Sequence, residues 1–504
     1  MEQNQPWQYM PQPPQPQQPV ERPFFPTGKK ELFFGLGGIL CGLALVNCLL
    51  FAGANLGFAA GMLLSMAFAT AYLWCCGKRP KGYSLTLLSL SAVISAGFIR
   101  SDDGFVKFVM ICFLLVSVNL ALCLQAEKHQ HMPQSVTSLL DAPRALFALG
   151  VGKMPESVRG LYRTMKQGGE GGKKAGAILL GLVIVVPVML IVLPLLISAD
   201  AAFEGLVELL PDFEFGELLV TVILGIPVAC VLYTRGVALH HAPHEAKPQK
   251  TAKKLSSLTV NTVLVALCVV YVVYLVSQLA YFSGGLSGVL PEGYTMAEYA
   301  RRGFFEMAWL CLINLTLMAV AVGIVDKREH LLTRLLCLFV GLVTVFFVVT
   351  ASAKMGMYIQ AYGLTRLRVL TEVIMVFMGM ATVVVSLWLF MPKLPYMKVI
   401  VIIALVMGAM VIWADVDTVV AAYNVRAYQN GALATVDVEY LTQLSAGAVP
   451  YIVELAEAGD PVATAWLGEN SSVYYWDGMF DDLRSWNIGD WLAGKQIRFW
   501  KFGS

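Results

Sequence analysis

Apolar runs recur along this chain at about 20 residues each, the length a helix needs to cross a hydrocarbon core. About eleven can be laid down on the hydrophobic pattern: Leu32–Ala52, Leu56–Cys76, Tyr83–Ile99, Phe105–Leu124, Gly176–Ile197, Leu218–Leu239, Leu258–Phe282, Phe304–Val325, Leu332–Ala353, Val369–Phe390 and Val399–Val419. Runs of this kind must be helical in lipid, because hydrocarbon offers no partner to an unpaired N–H or C=O, and the alternation of a membrane barrel strand is absent. The third run is short and rich in serine, which makes it the weakest span of the set. The pattern predicts an all-α fold, a polytopic α-helical integral membrane protein with about 11 transmembrane helices and a small, mainly helical C-terminal extramembrane domain.

Three regions follow from the polar stretches. Residues 1–30 are rich in Pro and Gln, cannot bury enough apolar surface to fold, and read as a disordered, extended tail. Residues 31–420 hold the helical bundle. Within it, the basic loop 125–175 carries an amphipathic piece: Val158, Leu161, Tyr162 and Met165 fall at helical spacing, with Arg159, Arg163 and Lys166 on the other side. Such a helix reads as lying on anionic lipid headgroups through those three bases, with docking beneath the bundle as the rival reading. The loop 198–217 carries Asp200, Glu204, Glu208, Asp212, Glu214 and Glu217 with no base among them, either a divalent-cation site or the wet face of an interfacial helix.

Residues 421–504 change character. An apolar helical pattern from Tyr440 to Leu455 breaks near Gly447 and Pro450, Gly459 ends a helix, and Asp460-Pro461 caps and opens another. The remainder is rich in Trp, from Trp466 to Trp500, which suits a compact domain at a membrane interface; carbohydrate stacking is the alternative.

Composition agrees with the pattern: of 504 residues, 57% are hydrophobic and 14% charged, too apolar for a soluble globule. The charges sort by side. With the N-terminus placed in the cytoplasm, segments on that side hold roughly 24 Lys and Arg against roughly 7 on the other. The odd span count then puts the C-terminal region outside. The first run lacks a small-residue cleavage site and reads as an uncleaved anchor. The ten cysteines all lie in the spans or at their ends, which argues against a disulfide framework or a Cys-based metal site. His240, His241 and His244 read as a solvated loop before a metal site. No metal, cofactor or nucleic acid is expected. The expected partners are the bilayer itself, anionic headgroups and another membrane protein.

The span centres are essentially free of ionisable residues. Asn47, Asn119, Asn261, Asn314 and Gln278 remain, and they read as interhelical hydrogen bonds rather than a transport path. Pro187, Pro194 and Pro227 should kink the fifth and sixth spans. Charge gathers instead at the outer span ends: Lys107, Asp200, Glu306, Lys354, Arg366, Arg368, Glu372, Asp415 and Asp417, with Asn424 and Arg426 just beyond. Asp200, Arg366, Arg368, Glu372, Asp415 and Arg426 are taken as one rim network. It is either a latch between bundle and tail or a site for a polar ligand or lipid headgroup, with the catalytic residues left unknown.

A resemblance falls on the same residues. Ser198-Ala199-Asp200-x-x-Phe203, Tyr362-Gly363-Leu364-Thr365-x-Leu367-Arg368, Asn424-Val425-Arg426, Asp437-x-x-Tyr440-Leu441-x-x-Leu444 and Ala448-Val449-Pro450 resemble a bacterial membrane family known as a domain of unknown function, the 4153/4173 group. The resemblance runs from about the fourth span into the tail, and the Pro/Gln-rich N-terminus departs from it. It implies a bacterial, multi-pass inner-membrane protein and no established activity. Three function classes stay open. The preferred one is a non-enzymatic sensing or accessory protein linking the extracytoplasmic domain to the cytoplasmic face. The others are a transporter of a lipid or apolar solute and a membrane enzyme working on lipid or envelope polymer at the outer rim, with Asp200, Glu372 or Asp415 as acid or base.

The charge bias makes a topology prediction. Reporter fusions at Lys174 and Lys254 should read cytoplasmic, and one at Ser504 extracytoplasmic. A cytoplasmic signal at Ser504 alone removes one helix from the count; an outside signal at Lys254 inverts the orientation.

Overall fold

A computed structural model describes residues 24–133, 135–167, 215–243, 256–284, 296–324, 330–474 and 482–502, with isolated positions at 188, 192, 195 and 196. Every regular element among them is helical, and nine helices are long and apolar enough to cross a membrane. The chain is an all-α polytopic membrane protein. Apart from those isolated positions, the predicted fifth span, Gly176–Ile197, lies outside the described residues, as does Asp200.

The first half packs α1 (Lys29–Phe51), α2 (Leu56–Cys75), α3 (Tyr83–Gly97) and α4 (Gly104–Gln125) around one core, with α6 (Phe215–His241) laid antiparallel along α1. The antiparallel sense is fixed at both ends: Asn47 meets Glu217 and Thr221 at one, and Glu31 meets His241 at the other. The second half packs α7 (Ser257–Gly284), α8 (Met296–Ile324), α9 (His330–Tyr362) and α10 (Arg366–Phe390) around Cys311, Met318, Val340, Phe347 and Met375. Helix α11 (Tyr396–Ala414) joins the halves, lying against α3 and α4 on one side and α10 on the other.

Helix α3 is 15 residues long, about 22 Å, against a hydrocarbon core of about 30 Å. Its serines explain how it survives: Ser91 bonds Ser117 Oγ at 2.7 Å and Ser84 donates to the Ala121 carbonyl at 2.8 Å, so the polar face is spent on α4 instead of lipid. The isolated asparagines are spent in the same way. Asn119 accepts from Arg235, Asn261 from Thr333, and Asn314 accepts from Tyr271 while donating to Thr344. Arg235, near the end of α6, is buried between helices against Asn119. Pro227 sits inside an unbroken α6.

The last span ends earlier than its apolar run. The run extends to Val419, but the helix stops at Ala414, Asp415 turns at φ +54°, and α12 (Val416–Gln429) starts in a new direction. Helix α12 crosses residue 420, so the expected domain boundary falls inside an element. The tail then forms α13 (Val438–Thr442), α14 (Val449–Glu457), α15 (Pro461–Tyr474) and α16 (Ile488–Phe502). Gly459 takes φ +91°, and Asp460 Oδ1 accepts from Val462 and Ala463 N–H at 2.9 Å, the stop and the cap expected there. Helix α16 was legible only as an aromatic stretch. Its Ala493 and Ile497 complete a core with Leu441, Ile452 and Leu467, to which α12 lends Ala421 and Val425.

At the end of the bundle far from this tail lies α5 (Met154–Gln167), the amphipathic helix. It docks through its small face: Phe25 N–H donates to the Glu156 carbonyl, Thr164 Oγ1 donates to the Thr27 carbonyl, and Gly160 seats the Phe25 carbonyl so closely that any Cβ would overlap it. Arg163 lies 4.2 Å over the Phe24 ring. Val158 and Tyr162 remain 54% and 65% exposed, so docking uses one face and leaves these two apolar side chains uncovered. Residues 24–28 are thus held by α5, which trims the extended tail expected over 1–30. The Lys166 side chain lies outside the described residues.

The packing makes a prediction. A Cβ on Gly42 would stand 2.7 Å from the Ala229 backbone, whereas one on Gly356 meets nothing within 4 Å. Gly42→Ala should cost about 1–3 kcal/mol through overpacking, and Gly356→Ala should gain about 0.5–1 kcal/mol from reduced backbone freedom. Thermal unfolding of the two variants in detergent checks the order.

Candidate functional site

At the tail end, three turns bring charge together. Between α3 and α4, Asp103 caps α4: its Oδ1 accepts from Phe105 and Val106 N–H, which leaves Oδ2 turned toward the joint. Between α9 and α10, Gly363 at φ +75° makes a tight turn. Asn424 of α12 reads that turn like a second backbone strand, accepting from Leu364 N–H at 2.6 Å and donating to its carbonyl at 2.8 Å. A side chain at 363 would collide with the Asn424 amide. Between α11 and α12, the positive φ of Asp415 aims α12 across the end of the bundle.

Arg366, the first residue of α10, is the centre of the joint. Its Nε and Nη2 donate to the two oxygens of Asp417 at 2.8 and 2.6 Å, a bidentate pair. Nε also lies 2.7 Å from Asp103 Oδ2. That second contact is Coulombic: the single Nε–H is directed at Asp417, and Asp103 Oδ2 receives no hydrogen bond. Both carboxylates are fully buried while Arg366 keeps 34% exposure. The tail joins through the same groups. Ser445 N–H donates to Asp417 Oδ2 at 2.8 Å, and the Tyr440 hydroxyl accepts from Arg366 N–H at 2.8 Å. Burial disfavours the ionised form of Asp417, but hydrogen bonds from Arg366 and Ser445 outweigh it and hold its carboxyl below the usual range.

Asp415 is buried beside this group under different terms. Its Oδ2 accepts from Thr418 Oγ1 at 2.5 Å and lies 3.4 Å from Arg100 Nη1; its Oδ1 has no partner. Gly447 of the tail presses on that carboxylate with no room for a Cβ. Burial pushes Asp415 up to about 6, with Thr418 and Arg100 pulling the other way.

A second clasp ties the tail to α2. The first N–H groups of a helix have no intrahelical partner, and here Leu56 and Gly57 donate to the carbonyls of Trp486 and Arg484. Asn55 donates to the Ser485 carbonyl while accepting from Lys107, whose ammonium also reaches the Gly53 carbonyl and Asp102. Arg484 binds Asp482, Glu217 and Asn47, and Ile488 N–H returns to the Ile99 carbonyl. Hydrogen bonds to Asp482 and Glu217 strengthen the protonated form of Arg484. The carboxylate of Glu217, read in sequence as part of a base-free acidic segment, therefore meets its base from 267 residues away.

Of the six expected rim residues, Asp200 lies outside the described residues, and the other five do not form one network. Arg366 and Asp415 sit in the joint with Asp417 and Arg100 as partners. Arg368 is nearby but spends its guanidinium on the Tyr362 and Gly363 carbonyls and on the face of Tyr358 at 4.0 Å, closing its own turn. Glu372 is about 9 Å along α10 from Arg366, with Oε2 buried and unpartnered. Arg426 is exposed on α12, where the helix faces away from the joint. Asp103 was missed; an acidic pair, Asp102-Asp103, at the start of a span and at the depth of Arg366 was the available signal. Among the described residues no three His, Cys, Asp or Glu converge to hold a metal ion.

Two predictions follow. Arg366→Ala strands two buried carboxylates, a loss of about 3–5 kcal/mol for a fully buried pair and less for a guanidinium one-third exposed. The double change Arg366→Ala with Asp417→Ala should cost less than the summed singles, as read by thermal unfolding. The pH response has the opposite sign at Asp415. Its folded value of about 6 stands above an unfolded value of about 3.9, so the native state binds more protons between the two and stability rises as pH falls through that window. Asp417, depressed, holds its contribution above its unfolded value and loses it only at lower pH. Protease resistance of the tail should therefore improve from pH 7 to pH 5, and Asp415→Asn should be more resistant than the wild type at pH 7 and gain less on going to pH 5.

Three of the motif stretches meet in this joint through the Gly363 turn, Asn424, and Tyr440 capped by Asp437, and the Ser445–Gly447 segment leads from there into Ala448-Val449-Pro450; the Ser198–Phe203 stretch lies outside the described residues. No curated protein and no solved structure matches the chain. One family model does, described as Domain of unknown function (DUF4153), over residues 39–455. The match begins in the first span, earlier than the motif resemblance, and ends in α14. The chain belongs to the DUF4153 family.

Proposed function

We propose that this protein is a non-enzymatic sensing or accessory protein of a bacterial cell membrane, with the N-terminus cytoplasmic and the tail outside, in which the position of the tail is relayed to α5. The observation that carries this reading is the helix pair α1–α6, held by polar contacts at both ends. At the tail end, Arg484 grips Asn47 of α1 and Glu217 of α6. At the far end, Glu31 of α1 accepts from Tyr72 at 3.2 Å and meets His241 of α6 at 3.4 Å, and Phe25 stacks on His241 while bonding to α5. Packed helices with polar clamps at both ends are a contiguous route for coupling. The joint favours a mechanical role as well, because the groups of Arg366 and Asp417 are consumed by one another and by the tail backbone.

The test is hydrogen–deuterium exchange on the full chain in nanodiscs, wild type against Arg484→Ala. Loss of the grip should raise exchange in Met154–Gln167 and in residues 24–34, at the end where Arg484 is absent. Changes confined to the tail and to the adjoining ends of α1, α2 and α6 would sink the relay and leave a static accessory role.

A further inference from the structure

At the far end of the bundle a groove of about 290 Å³ lies between α1 and α2. Its wall on α2 is a stripe at helical spacing, Leu64, Ala67, Phe68 and Ala71, in which the two alanines make the depth. On α1 the wall is Phe33 and Phe34. Phe34 stacks on Tyr72 at 4.5 Å to form the floor. Gly37 lets Phe68 lie against α1, since a Cβ there would stand 2.5 Å from the ring. Phe33 and Leu64 are 68% and 54% exposed, so the groove opens on the outside of the bundle, where lipid is the solvent.

One charge borders this apolar channel. The ammonium of Lys30 donates to the Cys75 carbonyl at 2.7 Å. That carbonyl belongs to the last turn of α2 and has no intrahelical partner. The bond fixes the ammonium at the end of the groove and leaves two of its three N–H donors for a ligand. The neighbouring carboxylate does not compete: Glu31 is buried and occupied by Gly28 N–H, Tyr72 and His241. Trp74, half exposed with Arg79 over its ring, lies at the same level, the side-chain pair expected at headgroup depth.

We propose that the groove binds one acyl chain of an anionic phospholipid, with its phosphate on Lys30. The hydrocarbon wall takes the chain and the ammonium takes the phosphate. A zwitterionic headgroup brings its own cation toward Lys30, so it is bound less well.

Native mass spectrometry of the full chain, released from detergent with phosphatidylglycerol or phosphatidylcholine, tests this. The wild type should retain one phosphatidylglycerol in preference to phosphatidylcholine by about fivefold, the weight of one basic residue at an anionic surface. Lys30→Met should remove that preference. Ala71→Phe, which fills the channel, should lose the retained lipid of either kind. Equal retention of the two lipids by the wild type overturns the proposal, as does an undiminished preference in Lys30→Met. Should Ala71→Phe fail to fold, the Lys30→Met comparison decides alone.

Discussion

One guanidinium shared by two buried carboxylates sets the geometry of the whole tail end. Taking Asp103 and Asp417 out of water is costly, and the cost is recovered only if a cation and enough hydrogen bonds reach both. Arg366 supplies the charge, the first turn of α4 supplies N–H groups to Asp103, and Ser445 supplies one to Asp417. The contributors come from the first half of the bundle, the second half, the helix lying across them and the tail. None can shift without exposing a partner, so the four parts are positioned together. The tail needs this. Its core draws on five short helices, one of them α12, and a domain so small has little apolar area of its own to bury.

Polar energy is gathered at the ends because the centre cannot carry it. In lipid, helices gain no hydrophobic force from meeting one another, and an interhelical hydrogen bond contributes only about 0.6–2 kcal/mol. The bundle therefore relies on close approach, as where Gly42 meets Ala229, with single polar ties such as Tyr271–Asn314–Thr344 inside each half. Ion pairs and multiple ties appear where water or headgroups begin. The same division separates the two ends of α1: Asn47 faces the tail and Glu31 faces α5, with an apolar helix of fixed length between them.

How far this was legible in the sequence depends on the kind of signal. Membrane spans announce themselves by length and hydropathy, so ten of the eleven predicted runs coincide with helices among the described residues. Cap chemistry is local, and Gly459 with Asp460 was readable for that reason. Depth along a span is also readable, which is how Arg366, Asp415 and Asp417 were brought to one level. Depth does not give azimuth. Arg368 and Arg426 share the level of Arg366 but point into their own turn or into solvent, whereas Asp103 reaches it from α4 as a second carboxylate beside Asp417. The break at Asp415 was hidden because Val416, Val419 and Val420 continue an apolar run through a backbone that turns. Helix α16 was hidden by the reverse effect, aromatic residues obscuring a helical period.

The contacts that hold the tail to α2 were illegible for a deeper reason: they are made by backbone. Leu56 and Gly57 donate to carbonyls of Trp486 and Arg484, so the N-terminus of a span is capped by a segment far along the chain, and no residue type records it. This gives the tail two attachments of different physical kind. The joint at Arg366 rests on charge, with Asp415 beside it titrating near 6. The clasp at α2 rests largely on main-chain hydrogen bonds, which do not titrate, although Asp490 next to it is also pushed up to about 6, by burial and by Asp102. A change in protonation therefore reaches both edges, through Asp415 under α12 and Asp490 beside α2, while the main-chain bonds that cap α2 are kept. An attachment loosened along one edge turns about the other, and the edge that holds is the one that carries Arg484 onto α1 and α6.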